Sequence, residues 1–208
     1  AVLCIYSAVI LLLLSILLLR VLRLAKERRR QAVTETWRPL LAQCVVEVPE
    51  TLPPLKPRDH IVFLYLWNHC YESIRGEARA QLIELARRMG TDRVAKQLLH
   101  TRRLRRRLLA IVTLGHLQER SAWNELAVIL EADNAFLSLV TAKALLNIDA
   151  QAAIPLLIPV ISRRHDWSPL KVVAMFDAVN PGLAAETIAI AASQAHPQIG
   201  ARLIRHLA

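Results

Sequence analysis

From Arg79 to the end of the chain, a block of small and aliphatic residues returns at a step of about 31 residues, and such a beat restricts the fold to a stack of like units. RAQLIELA (Arg79–Ala86), AIVTLGHL (Ala110–Leu117), TAKALLNI (Thr141–Ile148) and VVAMFDAV (Val172–Val179) align column by column. So do the stretches behind them: TDRVAKQLL from Thr91, SAWNELAVIL from Ser121, AQAAIPLLIPVI from Ala150 and GLAAETIAIAA from Gly182. Each unit reads as helix, short turn, helix. The chain closes on IGARLIRHLA, the first helix of a fifth unit with no second helix behind it. A solenoid ended that way leaves its core open, so the protein is expected to continue beyond Ala208.

Two of these units, LGHLQERSAWNELAVIL and LLNIDAQAAIPLLIPVI, resemble the short bacterial HEAT-like repeat of the PBS-lyase type. In that pattern an acidic turn follows the first helix, and the second carries a proline ahead of its leucines. Asp149 and Pro155 stand at those two places. The first repeat lacks the usual spacing of the turn acid, and Pro159 is a second proline expected to bend its helix. The resemblance implies a right-handed helical-hairpin solenoid, an architecture whose default work is binding.

Composition agrees with an all-α chain: 54% of residues are hydrophobic, only 5% are aromatic, and there are 5 glycines, which favours helices over a sheet-rich domain. Cys4, Cys44 and Cys70 form no C-x-x-C pair, so neither a disulfide framework nor a zinc signature is present, and a reducing compartment fits best. The net charge of +10 resides in two clusters. Arg20, Arg23, Lys26, Arg28, Arg29 and Arg30 stand against Glu27 alone, and Arg102, Arg103, Arg105, Arg106 and Arg107 follow later. With the remainder balanced, a general nucleic-acid-binding surface is not expected.

Ala1 to Leu19 carries no charge, and a helix of about 19 residues rises roughly 28 Å, close to the hydrocarbon thickness of a bilayer. A secretory signal would place its basic residues before the apolar run; here they follow it, so residues 1–24 are expected to be a single transmembrane helix. The positive-inside rule then puts the N-terminus outside a bacterial inner membrane and everything from Arg20 onward in the cytoplasm. Ala1, Ala8 and Ser15 fall seven apart, with Cys4 on a neighbouring position. That small-residue stripe suits close approach of a partner's transmembrane helix, although a lipid-facing helix tolerates it equally.

Residues 25–58 read as a basic juxtamembrane segment and a spacer stiffened by Pro49, Pro53, Pro54 and Pro57. Residues 59–208 form the cytoplasmic solenoid. Its opening helix crowds Phe63, Tyr65, Trp67 and Tyr71 into nine residues. These either close the open end of the stacked core or dock a partner.

The arginines between His100 and Arg107 share a helix whose apolar face is expected to be Leu104, Leu108 and Ile111. Guanidinium groups offer planar paired donors to phosphate, so anionic lipid, a nucleotide or an acidic protein surface are suitable ligands; a solvated basic face is the plain alternative. Arg103 and Arg107 form an R-x-x-x-R pair, the first half of the motif by which PilZ-type domains hold cyclic di-GMP, but the second half, [DN]-x-S-x-x-G, is missing and PilZ is a β-barrel. None of the seven histidines is followed by Glu, as HEAT-like hydroxylases require, and no zinc-protease helix, nucleophile elbow or phosphate loop occurs. HEAT-like bilin lyases share the repeat length, but no chromophore pocket is marked; HEAT-like DNA glycosylases fit a membrane anchor poorly. No enzyme, cofactor or metal site is therefore expected.

The chain thus reads as a membrane-anchored, non-catalytic scaffold for another integral membrane protein. Its layout resembles the anchored HEAT-repeat proteins that accompany glycosyltransferases of exopolysaccharide synthesis. The alternative is a membrane-surface sensor that takes anionic lipid or a nucleotide on its arginine cluster.

Overall fold

The computed structural model describes residues 2–44, 47–49, 51–177, 190 and 193, the side chains of residues 2–10 and of Pro169 excepted. Among the described residues the fold is all-helical and contains no strand. The chain divides into two compact units, Ala1–Leu82 and Ile83–Ala208. The last sequence block, from Gly182, and the closing IGARLIRHLA lie outside the described residues, apart from positions 190 and 193.

The first unit is built on α1 (Val2–Gln43), a continuous helix of 42 residues that runs through Pro39 and is about 63 Å long at 1.5 Å per residue. The expected juxtamembrane segment is therefore part of the same helix as the apolar run for most of its length. Residues 47–49 and 52–56 have neither helical nor strand structure, as their prolines require. A short 3-10 turn, Pro57–Asp59, leads into α2 (His60–Ser73). Gly76, with φ of 75°, takes the left-handed conformation in the turn to α3 (Ala78–Arg88).

Helix α2 packs on the C-terminal part of α1. Trp37 meets Phe63 edge to face, with ring centroids 4.8 Å apart, and Leu41, Phe63, Leu64 and Trp67 are fully or almost fully buried. The Trp67 indole donates a hydrogen bond to the Leu82 carbonyl at 2.9 Å. Aromatic rings of this size bury much apolar surface per residue, and their edge-to-face geometry adds about 1 kcal/mol per pair. That concentrated contact compensates for having only two or three helices to pack.

The second unit contains α4 (Thr91–Leu99), α5 (Leu104–His116), α6 (Trp123–Leu130), α7 (Ala135–Ile148), α8 (Ala150–Arg163) and α9 (Pro169–Asp177). Each described block of the sequence repeat falls in its own helix. Helices α5 and α7 lie side by side, α4 packs on α5, and α6, α8 and α9 all pack on α7. The repeat columns are the buried ones: Leu82, Thr113, Ala144 and Met175 occupy one, and Ala86, Leu117 and Ile148 another.

Small residues in those columns allow close helix approach. A Cβ placed on Gly115 of α5 would stand 2.8 Å from both Cα and Cβ of Ala144 in α7. The turns are set by short polar caps. Asn134 accepts from the Leu137 N–H at 2.9 Å to start α7, and Asp149 accepts from the Ala152 N–H at 3.1 Å to start α8. Helix α8 continues through both Pro155 and Pro159.

Candidate interaction surfaces

The sequence-predicted surfaces fall into three groups, beginning with the apolar run of α1. From Leu11 to Leu24 every large aliphatic is at least half exposed, on all sides of the helix: Leu11 is 71% exposed, Leu18 60% and Leu24 50%. Among the described residues, no helix is long and apolar enough to cross a membrane. The first ten of the 24 positions of the expected span have side chains outside the described set. Ala1 and Ala8 are among them, while Ser15 is exposed and its hydroxyl donates to the Leu12 carbonyl at 2.7 Å.

The basic collar divides. Arg20, Arg23, Lys26, Arg28 and Arg30 are exposed, whereas Arg29 forms an ion pair with the buried carboxylate of Asp59. A sequence reading groups Arg29 with its neighbours because contiguity is all it sees; the packing of α2 on α1 turns this guanidinium inward, where it neutralises a carboxylate. Beside it, α1 and α2 form an open groove of about 530 Å³ lined by Glu27, Arg30, Glu35, Tyr65 and His69 among others. Nothing in the sequence flags this groove, because its walls are ordinary polar positions of two separate helices.

Of the four aromatics on α2, Phe63 and Trp67 are fully buried and Tyr71 nearly so, leaving Tyr65 at 46% exposed. The Tyr71 phenol is pushed above its ordinary pKa by burial, partly offset by the Arg79 guanidinium, which lies over its ring at 4.9 Å. Three of these four aromatics therefore help hold the first unit together, and of the four only Tyr65 is exposed. Burial likewise raises the Cys44 and Cys70 thiols, with Arg38 opposing the shift at Cys70; neither is poised as a nucleophile.

The second arginine cluster opens α5. Arg102, Arg103 and Arg105 are exposed, and Arg106 and Arg107 half-buried. None of the five forms an ion pair within the described residues, and the Nε of Arg107 is buried without a hydrogen-bond partner. Arg103 is the N-cap residue and provides no side-chain acceptor. Five cations thus gather at the positive end of a helix dipole, the end that ordinarily favours anions. Leu104, expected on the apolar face with Leu108 and Ile111, is instead 43% exposed among them, while Ile111 is fully buried. A helix's first turn projects beyond the neighbours that cover its middle.

Elsewhere in the second unit several charges are paired. Lys96 meets Glu119 at 3.2 Å, Arg163 meets Glu131 at 3.0 Å, and Arg164 meets Asp166 at 3.0 Å. The Ser121 hydroxyl, then Lys96, hold the Glu119 carboxyl below its ordinary range, and Arg164 does the same for Asp166. No group of three or more His, Cys, Asp or Glu side chains able to hold a metal occurs among the described residues. Compared with known proteins, the chain matches no family model, no curated protein and no solved structure.

Proposed function

We propose that this chain is a membrane-anchored, non-catalytic scaffold in which the start of α1 sits in a bacterial inner membrane and a HEAT-like solenoid binds another integral membrane protein on the cytoplasmic side. The observation that carries the reading is the sleeve of exposed aliphatic side chains from Leu11 to Leu24. A helix apolar all round needs an apolar medium on every side, and burying each leucine in one is worth about 2 kcal/mol. The exposed arginines that follow are the flank expected on the cytoplasmic side of a span.

Polar contacts one repeat apart support a stacked solenoid. The Arg87 guanidinium donates to the Leu117 carbonyl, 30 residues on; that of Arg164 reaches back 32 residues to the Ala132 carbonyl and 31 to that of Asp133. Equivalent positions of neighbouring units touch, as nearest-neighbour stacking requires. An anchor of this kind confines solenoid and partner to one membrane and so raises the effective concentration of a weak contact. A polysaccharide-synthesising glycosyltransferase is the partner to test first, on the resemblance in layout.

The test is purification of the full chain in mild detergent beside a version lacking Ala1–Leu19, with mass spectrometry of what accompanies each. Recovery of a polytopic membrane protein with the full chain alone supports the scaffold. A chain that washes off membranes at alkaline pH removes the anchor. A second reading, a sensor of anionic lipid or nucleotide, is favoured by the five arginines at the start of α5 that have no acid partner among the described residues.

A further inference from the structure

Four contacts fix how the repeating helices are aligned. Gly115 touches Ala144, and Arg120 reaches Asp149 at 3.6 Å, so the C-terminal ends of α5 and α7 lie together. Because the two helices are packed side by side and differ by one residue in length, 13 against 14, their starts share the opposite edge. Arg164, just ahead of α9, donates to the carbonyls of Ala132 and Asp133, just ahead of α7, at 2.8 and 3.0 Å. The starts of α5, α7 and α9 therefore form one continuous edge of the second unit.

That edge carries an unusual pairing of side chains. Leu104, Phe136 and Leu170, in the first turns of the three helices, are 43%, 55% and 67% exposed. At the other end of the same helices, Leu117 and Ile148 are buried. The acids of the edge are largely matched within it, Glu131 by Arg163 and Asp166 by Arg164. Exposed Asp133 and Lys171 cancel in formal charge on this edge, which leaves the arginine run of α5, with Leu104 in its midst, as its net charge among the described residues.

We propose that this edge docks on an anionic lipid bilayer, with the exposed arginines on lipid phosphates and Leu104, Phe136 and Leu170 set into the boundary between headgroups and acyl chains. Isolated large apolar side chains at the ends of parallel helices, with unpaired guanidinium groups around one of them, complement a surface that is anionic at one depth and apolar a few ångströms further in. An acidic protein would match the charge but leave three separated apolar side chains without a shared pocket. The proposal deepens the anchored reading by adding a second membrane contact, on the solenoid itself, but the two stand or fall separately.

The experiment is hydrogen exchange on the full chain reconstituted in phosphatidylcholine vesicles with and without phosphatidylglycerol. Exchange in the first turns of α5, α7 and α9 should be slowed several-fold by the anionic lipid. High salt or the triple variant Arg102→Gln, Arg103→Gln, Arg105→Gln should abolish the slowing, and the double variant Leu104→Ser, Phe136→Ser should weaken it. These are exposed positions, so both variants should keep the exchange pattern of the buried helices. Equal exchange in the two vesicles would overturn the docking while leaving the anchor in place, since flotation with the vesicles reports the anchor independently. Equal protection by pyrophosphate without anionic lipid would assign the edge to a soluble phosphate ligand and overturn the bilayer. Protection by anionic vesicles in a chain that floats only through this edge would support the docking and remove the anchor.

Discussion

The two units solve the problem of burying a helix face by opposite means. The first spends its bulk in a few large side chains: Trp37, Leu41, Phe63 and Trp67 are buried, Trp37 meeting Phe63 edge to face between α1 and α2, reinforced by the Arg29–Asp59 ion pair. The second distributes its packing over successive helices, using Ala, Gly, Thr and Leu in repeated columns and a close approach at Gly115. A core concentrated in a few large rings is vulnerable at each of them, whereas a repeated core is vulnerable where backbones come closest.

The largest expected effect tests the concentrated core. Trp67→Ala removes a fully buried indole and its hydrogen bond to Leu82, for a loss of about 3–5 kcal/mol. Hydrogen exchange should show α2 and the C-terminal part of α1 losing protection while α5 and α7 keep theirs. Equal loss in both places would mean that the units unfold together, and the contrast would fail.

The converse lesion is Gly115→Val. A helical glycine replaced by another residue usually gains stability, but here the new side chain meets the backbone of Ala144, and overpacking of this kind costs about 1–3 kcal/mol. Thermal unfolding should fall, with exchange rising first in α5 and α7. Unchanged stability would show that the two helices can separate freely.

Arg29→Ala should have a smaller effect, about 1–2 kcal/mol, because Asp59 is left buried without its cation while Arg29 itself is one-third exposed and already partly screened. Denaturant titration of the single variants and the Arg29→Ala, Asp59→Asn double variant would isolate the pair. A coupling energy of zero would reduce the ion pair to a surface accident.

Least of all, Glu119 should contribute to the acid limb of the second unit's stability. Its carboxyl is depressed in the folded chain by the Ser121 hydroxyl and then by Lys96. Such a group stabilises above the unfolded carboxyl pKa of about 4.3, and the contribution is lost as pH falls through the lower folded value. Glu119→Gln should flatten that part of the pH profile measured by thermal melting, lowering stability slightly near neutrality and leaving it little altered below the folded pKa. A steeper acid limb in the variant would reverse the assignment.

Much of the helical arrangement was readable from the residues. The blocks from Arg79, Ala110, Thr141 and Val172, and those from Thr91, Ser121 and Ala150, each lie in separate helices, because a column of small residues at a fixed step records a face that recurs. Asp149, expected in a turn only on the resemblance to the HEAT-like pattern, caps the start of α8. The candidate surfaces were less legible. Tyr65 and Trp67 stand two apart, yet one is 46% exposed and the other fully buried; Arg29 and Arg30 are adjacent, yet only Arg29 meets Asp59.

The sequence by itself determined that the chain is helical, the step at which its apolar blocks recur, and the order in which an uncharged run gives way to a basic one. These follow from which residue types stand where along the chain. Only the tertiary structure decided that Phe63 and Trp67 are core, that Arg29 is taken up by Asp59, and that Leu104, Phe136 and Leu170 share an exposed edge. Each of those outcomes depends on which helix covers a given face and how far it extends, and that is set by contacts between residues distant in the chain, where periodicity carries no information.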